Sequence, residues 1–275
     1  MMVNNKIRRK DFIMKVLIDN EEIRISLSEE FIKSNTFLDG KSLGDFILEN
    51  TLEKFKLYRK IFNVDKLEKI CFEIYDVVTE KDDWKDRYIK FYRKNPPEYS
   101  LGFFEPDCNL SCTCVHANAA YGTSWWNSAV YTNAHEAFHL YYRKYIYGFD
   151  RITWFDEGMA EYLSGENDYW LNDEEKVKER FIYFLEHYVP IDNLNERIQG
   201  NSTVSDKEIF QRKDVFNGYL ASVLIIKYLI DSYGEEYLFN LMRDNQKIRE
   251  VGSNVLPEMI DYFRRKFRII DSKKL

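Results

Sequence analysis

One helical turn of this sequence places two histidines where both can bind the same ion. His135-Glu136-Ala137-Phe138-His139 lies in the segment YTNAHEAFHLYYRKY, whose apolar residues recur at helical spacing. In a helix, residues four apart lie on one face, so the imidazoles of His135 and His139 can hold one Zn²⁺. Glu136 follows the first histidine and would project beside the metal, where its carboxylate can take a proton from a zinc-bound water.

The scarcity of histidine makes this pentad informative. The chain has four histidines among 275 residues. With so few histidines, random placement would produce roughly 0.005 H-E-x-x-H patterns per chain of this length and composition. This number is a crude false-positive rate for the motif. The alternative is that the two histidines only pack or cap a helix.

A third ligand is available shortly downstream. A catalytic zinc needs three protein ligands and one open position. Glu157, in the segment WFDEGMAEYLSG, follows His139 by 18 positions, which leaves room for a turn and a second, antiparallel helix. Gly158 and Ala160 are small and would allow helices to approach closely around the metal. Glu161, one turn after Glu157, could accept the free N–H of a ligating histidine, or it could be an ordinary solvated glutamate.

Composition and charge narrow the class of protein. The chain is 45% hydrophobic and 31% charged, with 5 Pro and 11 Gly, which is typical of a globular protein and excludes a collagen-like or disordered chain. A net charge of −6 without a basic block predicts no nucleic-acid partner. The N-terminus has no apolar signal core, and no apolar window approaches the roughly 18 residues of a membrane span. These features predict a cytoplasmic protein with no membrane partner.

The cysteines leave two interpretations open. Cys71 lies in an apolar run and is expected to be a small core residue. Cys108, Cys112 and Cys114 cluster before His116, and on an extended strand 112, 114 and 116 point to one face, so a second metal site is conceivable. The spacing lacks the C-x-x-C pattern of structural zinc sites, and reduced thiols are the simpler interpretation.

Hydrophobic periodicity predicts an α+β chain with a helical second half. Residues 1–20 are polar and are expected to be a frayed lead-in. A helix is predicted at 43–62, a strand at 70–78, and strands with a turn at 99–121. Further helices are predicted at 130–147, 155–163, 174–188, 215–233, 235–243 and 257–270. We expect residues 1–65 to form a lead-in and helix of unknown role, and residues 66–275 to form one domain, which becomes helical after about residue 150.

The segment around the two predicted zinc helices resembles the gluzincin clan of zinc metallopeptidases, in particular the peptidase-MA-like families. The resemblance is carried by HEAFH and by the W-x-x-E-G-x-A-x-Y pattern of residues 154–162. It implies a zincin-like fold, with a mixed sheet and zinc-binding helices followed by a helical C-terminal subdomain. It also implies one catalytic Zn²⁺ bound by His135, His139 and Glu157, with Glu136 as general base and acid.

Two further segments are similar to parts of such peptidases. The helix of residues 219–234 resembles the one that follows the zinc helices, and this implies that Tyr219 stabilises the oxyanion, with Tyr162 and Tyr131 as weaker candidates. Residues 99–121 resemble the strands before the zinc helix, whose edge pairs with an extended substrate. Aminopeptidases of the clan place a glutamate there, whereas residues 118–122 contain no acid, and Glu105 and Asp107 are the nearest carboxylates.

These observations predict a zinc metallopeptidase that acts on a peptide or protein substrate, an endopeptidase rather than an aminopeptidase. The first alternative is a non-catalytic peptide- or protein-binding protein with a peptidase-like fold. The second is a zinc hydrolase that cleaves a non-peptide amide. His187, near the end of a predicted helix, and His116, which could line a cleft, have no partner at ligand spacing on a helix. The sequence does not indicate whether the protein is a monomer or an oligomer.

Overall fold

A computed structural model describes residues 13–96, 101–105, 107–148, 150–187 and 214–269. Five strands form the main sheet: β1 Met14–Asp19, β2 Ile23–Ser28, β5 Ile70–Asp76, β6 Gly102–Glu105 and β7 Leu110–Val115. Two short strands, β3 Phe37–Leu38 and β4 Lys41–Ser42, form a separate hairpin.

The main sheet is mixed, with strand order β1-β2-β5-β7-β6. The three central strands β2, β5 and β7 run parallel, and β1 and β6 are antiparallel to their neighbours. Every residue of β7 is buried, as expected for a central parallel strand that is covered on both faces. The short strand β6 therefore forms one edge of the sheet, next to β7.

The helices before the pentad are α1 Glu29–Ser34, α2 Leu43–Phe62 and α3 Lys81–Tyr92. The pentad lies in α4 Ser124–Tyr142, which continues as a π-helical turn at Arg143–Tyr147. The later helices are α5 Thr153–Ser164, α6 Asp168–Leu171, α7 Glu174–His187, α8 Asp214–Tyr233, α9 Glu235–Leu241, α10 Asn245–Gly252 and α11 Val255–Phe267. None of the helices in these described ranges is long and apolar enough to cross a membrane.

Helix α2 forms where the sequence predicted it, because its N-terminus carries a start signal and its C-terminus carries a stop signal. The Ser42 side chain accepts from the backbone N–H of Asp45, and the Asp45 carboxylate accepts from the N–H of Ser42. At the other end Asn63 adopts a left-handed conformation with φ 55°. The helix packs against α4, where the Tyr58 hydroxyl donates to the carbonyl of Ala134 at 2.9 Å.

One hydrophobic core connects the sheet, α2 and the later helices, and it absorbs much of the aromatic excess. Between α2 and α4 the rings of Phe55, Tyr58, Phe62, Phe138 and Tyr141 contact one another edge-on or tilted, with centroids 5.6–6.4 Å apart. This packing places α4 firmly on the body of the protein.

The sheet and the core extend across the predicted boundary near residue 65. A strand, β1, forms at Met14–Asp19, where a frayed lead-in was expected, and β2 pairs directly with β5. The expected boundary therefore falls within continuous packing, and a separate role for residues 1–65 stays a prediction. The part of the predicted lead-in before residue 13 lies outside the described residues.

The chain otherwise combines strands and helices in its first half with helices in its second, as the periodicity predicted. The sheet is mixed, as the resemblance implied. Helix α4 begins six residues earlier than expected, at Ser124, because the Thr123 hydroxyl caps it by accepting from the N–H of Trp126. Helices α1, α3, α6 and α10 were not predicted. The side chain of His187 and residue 188 lie outside the described part of the chain.

Helix α5 lies directly against α8 at Gly158. A Cβ on Gly158 would lie 2.8 Å from the Ser222 carbonyl oxygen and 2.8 Å from Cγ1 of Ile226. The small size of Gly158 therefore allows α5 to approach α8 closely. The sequence had suggested instead that it would allow helices to approach around the metal. Because Gly158 follows Glu157 directly, this contact helps to fix the position of the Glu157 backbone.

Replacing Gly158 with alanine is expected to destabilise the protein by about 1–3 kcal/mol, since the added methyl meets backbone that cannot move aside. In an uncrowded helix the same change stabilises by roughly 0.5–1 kcal/mol, so the sign of the effect is diagnostic. Urea unfolding of the two proteins measures it. An unchanged or higher unfolding free energy for Gly158→Ala would show that the two helices are not in close contact here.

Candidate metal centre

The two histidines of the pentad lie one turn apart on α4 and point to the same place. Their Nε2 atoms are 3.0 Å apart. The His139 residue is 4% exposed, and the His135 side chain is 12% exposed. The helical periodicity of the pentad therefore produces the predicted pairing.

Glu157 on α5 completes a triangle of ligand atoms. After the π-helical turn the chain reverses at Gly148, whose φ of 62° favours glycine, and α5 then packs beside α4. Glu157 Oε2 lies 3.4 Å from His135 Nε2 and 3.3 Å from His139 Nε2. The structure thus brings together His135, His139 and Glu157, the three predicted ligands.

The triangle has the dimensions of a zinc site. Zn–N and Zn–O bonds of about 2.0–2.1 Å in a tetrahedron separate neighbouring ligand atoms by about 3.3–3.4 Å. The separations of 3.0, 3.3 and 3.4 Å lie close to this value. Two imidazole nitrogens and one carboxylate oxygen are also ligands that Zn²⁺ accepts. The residues present therefore fit a zinc ion with one position left open.

The electrostatics of the triangle favour positive charge. Burial lowers the pKa of His139, but the carboxylates of Asp156 and Glu157 more than offset this and raise it to about 10. Burial raises the pKa of Glu157, whereas His139 and Arg151 reverse that and hold it well below its usual range. The same carboxylates would stabilise a metal cation bound between the three ligands.

A second carboxylate, Asp156, orients His139, and the sequence interpretation missed it. Its Oδ1 lies 2.9 Å from His139 Nδ1, and the residue is fully buried. Such a contact fixes which imidazole nitrogen is free to bind a metal. The signal was the acid that directly precedes Glu157 in the sequence. Arg151, before α5, donates through Nε to the other oxygen of Asp156 and through Nη2 to Glu157 Oε1 at 2.6 Å.

Glu161 lies near the other histidine, as its spacing predicted. Its Oε1 is 3.9 Å from His135 Nδ1, which is too long for a hydrogen bond, and that buried nitrogen has no hydrogen-bond partner. Burial and the neighbouring carboxylate of Glu166 raise the pKa of Glu161 to about 7. The residue is therefore a partly buried member of the site region rather than a solvated surface glutamate.

The Glu136 carboxylate lies against the edge strand β6 at Gly102. A Cβ on Gly102 would lie only 2.7 Å from Glu136 Oε1, so the absence of a side chain there makes room for the carboxylate. Burial raises the pKa of Glu136, while His139 and His135 act in the opposite direction. The Phe104 ring on the same strand is nearly parallel to His139, with centroids 6.2 Å apart. The edge strand thus borders the site.

Tyr219 lies on α8, one turn before Ser222, the residue that contacts Gly158. Its side chain is 36% exposed, and its role as oxyanion donor stays a prediction. The hydroxyl of Tyr162, a weaker candidate, donates to Glu235 Oε1 at 2.5 Å. Tyr131 lies on α4, one turn before His135.

The cysteines and His116, for which the sequence left a second metal site open beside the simpler interpretation of reduced thiols, do not converge on one point among the described residues. In the described part of the chain, two groups of potential ligands lie close together, His135/His139/Glu157 and His135/Glu161/Glu166, and neither contains a cysteine or His116. Cys112 and Cys114 are buried in β7, and His116 packs against the Trp125 ring with centroids 4.4 Å apart. All four cysteines are free thiols.

Comparisons with known proteins find similarity in the fold. No family model and no curated protein matches the sequence. The structure is similar to the crystal structure of an aminopeptidase N family protein from Idiomarina loihiensis, with a TM-score of 0.50 and 12% sequence identity. The match covers 95% of this chain and 44% of that protein, so the chain spans less than half its length. The overall fold is accordingly peptidase-like.

Proposed function

We propose that this protein is a zinc metallopeptidase of the gluzincin type, with a zincin-like fold and one catalytic Zn²⁺. The observation that carries the proposal is the triangle of His135, His139 and Glu157, with Glu136 following His135 on the same helix. The W-x-x-E-G-x-A-x-Y pattern, which contains Glu157, and the peptidase-like fold also support it.

His135, His139 and Glu157 would hold the zinc. Bound there, it would polarise the scissile carbonyl and lower the pKa of a water molecule. The contact between Asp156 and His139 Nδ1 keeps His139 Nε2 directed at the ligand triangle. These residues supply a rigid set of donors.

Glu136 acts as the general base and then as the general acid. Its carboxylate takes a proton from the attacking water and delivers it to the nitrogen of the leaving amine. Gly102 preserves the space in which this carboxylate sits.

The edge strand β6 is the proposed docking site for the substrate backbone. It is the last strand in the order of the described sheet and borders both Glu136 and His139. An extended peptide added beside β6 would lie along the catalytic residues. The phenol of Tyr92 donates to the Phe104 carbonyl on this strand, so pairing at that carbonyl would require the phenol to move aside.

Endopeptidase activity is the favoured form of this function. Residues 118–122 contain no acid that could hold a substrate amine, and Glu105 lies at the end of β6 on the strand face opposite to Gly102 and Phe104. Incubating the zinc-loaded protein with a peptide library and mapping the cleavage sites by mass spectrometry tests the proposal. Internal cuts in N-terminally acetylated peptides are expected. Cuts confined to the first bond of unblocked peptides would contradict endopeptidase activity.

A bound zinc without any peptide cleavage would instead support a peptide-binding protein that keeps the peptidase-like fold. A protein that hydrolyses only non-peptide amides would be a different class of zinc hydrolase. The library therefore needs a parallel set of small amide substrates, assayed with the same metal-loaded sample.

Replacing Tyr219 with phenylalanine is expected to lower kcat for peptide cleavage by about 10²–10³-fold, the usual cost of removing one oxyanion donor. KM should change little, because the phenol would act on charge that develops in the transition state. Tyr233→Phe, at the exposed end of the same helix, is the matched control. An unchanged kcat in Tyr219→Phe would remove the phenol from the mechanism.

A further inference from the structure

Arg151 lies in the loop that leads into α5, two residues before its first residue Thr153. Its guanidinium contacts two acidic side chains that are adjacent in the sequence, Asp156 through Nε and Glu157 through Nη2. The Arg151 side chain remains 39% exposed, whereas the Asp156 side chain is fully buried and that of Glu157 is 11% exposed. One half-exposed arginine thus serves two buried carboxylates.

Each carboxylate divides its two oxygens between Arg151 and the histidines. Asp156 gives Oδ2 to Arg151 and Oδ1 to His139 Nδ1. Glu157 gives Oε1 to Arg151 and directs Oε2 at the two Nε2 atoms. The arginine therefore occupies the one oxygen of each acid that does not face a histidine.

The charges make this contact important. Two buried carboxylates on neighbouring residues repel each other and lose hydration, which is costly without a compensating cation. The planar fork of an arginine can donate to both at once, whereas a lysine is a point charge that cannot keep that geometry. Arg151 is the arginine that contacts both acids.

We propose that Arg151 is a positioning residue that holds Glu157 as a one-oxygen metal ligand and keeps Asp156 directed at His139. The proposal rests on the zinc site of the proposed function. By retaining Oε1, Arg151 stops Glu157 from presenting both oxygens to the ion, and so it preserves the open position that a water and a substrate carbonyl need.

The test compares Arg151→Met and Arg151→Lys with the unsubstituted protein, and Arg249→Met is the control. Arg249 forms an exposed ion pair with Asp150 close to the same loop. Zinc affinity is measured by competition with a chelator of known affinity. Visible absorption of the cobalt(II)-loaded proteins reports coordination number, because four-coordinate cobalt absorbs more intensely than five-coordinate cobalt.

Arg151→Met is expected to bind zinc about 10–100-fold more weakly, the usual cost of losing a partner of a metal ligand. Its cobalt bands should weaken as the released oxygen of Glu157 reaches the metal. The zinc affinity and cobalt absorption of Arg151→Lys should lie between those of Arg151→Met and the unsubstituted protein. Arg249→Met should match the unsubstituted protein in both measurements. If Arg151→Met does not fold, Arg151→Lys carries the comparison.

Zinc affinity and cobalt bands that are unchanged in folded Arg151 variants would overturn this inference and leave the zinc peptidase proposal intact. An unsubstituted protein that binds neither metal would overturn the proposed function, and this inference with it. A weaker affinity with unchanged cobalt bands would also contradict the inference, since it would indicate only a general loss of stability.

Discussion

Replacing Glu136 with glutamine is expected to lower kcat/KM for peptide cleavage by about 10²–10⁴-fold while zinc remains bound. Glutamine keeps the shape of the side chain but cannot take a proton from water. The three ligand atoms belong to other residues, so the metal site stays assembled. Metal analysis and cleavage rates on the same sample measure both parts of the prediction.

Glu49→Gln is the control for this experiment, because Glu49 lies exposed on α2 and pairs with Lys41. It should retain full cleavage activity and full zinc content. Activity in Glu136→Gln equal to that of the control would contradict the assignment of Glu136 as the general base. Loss of zinc together with activity would show that Glu136 supports the metal site instead.

Replacing His139 with alanine is expected to weaken zinc binding by more than the roughly 10–100-fold that loss of a ligand's own partner costs. The change removes a ligand directly, and it also leaves the buried Asp156 with Arg151 as its remaining charged contact. Peptide cleavage should fall to background at zinc concentrations that saturate the unsubstituted protein. Chelator competition and the cleavage assay report the two effects.

His116→Ala provides the matched histidine control. His116 packs against Trp125 and belongs to neither group of converging ligands. This variant should bind one zinc with unchanged affinity. A zinc affinity in His139→Ala as high as that in His116→Ala would contradict the ligand assignment and would indicate that the metal is bound elsewhere.

The ligand triangle could be predicted from the sequence because helix geometry determines most of it. The i, i+4 spacing alone puts His135 and His139 together. The 18 positions between His139 and Glu157 leave room for the chain to reverse direction. Asp156 could not be assigned in the same way, because neighbouring residues on a helix point in directions about 100° apart. It reaches His139 from beside the ring, at Nδ1 rather than Nε2.

Arg151 was beyond sequence reasoning for a related reason. It lies in a loop, and a loop side chain has no periodicity that predicts its direction. Its contacts with Asp156 and Glu157 depend on how α5 packs after the turn at Gly148. The role of Tyr219 stays a prediction, because the helix register alone does not bring a phenol to the site.

The fold shows the same division between local and tertiary signals. Helix α2 has both capping signals and an apolar face, and its predicted range agrees with the structure. Strand β1 was missed because its residues are half-buried or exposed at the sheet edge, so no strong apolar alternation marks it. The pairing of β2 with β5 joins segments more than 40 residues apart, and such pairing leaves no local pattern.

The measurement that tests the central claim most directly is the rate of peptide cleavage as zinc is added stepwise to the metal-free protein. The rate should rise in proportion to zinc and reach a plateau at one equivalent per chain, because one ligand triangle supports one catalytic ion. Cleavage that persists without zinc would contradict the proposal. One tightly bound zinc with no cleavage of any peptide would contradict it equally.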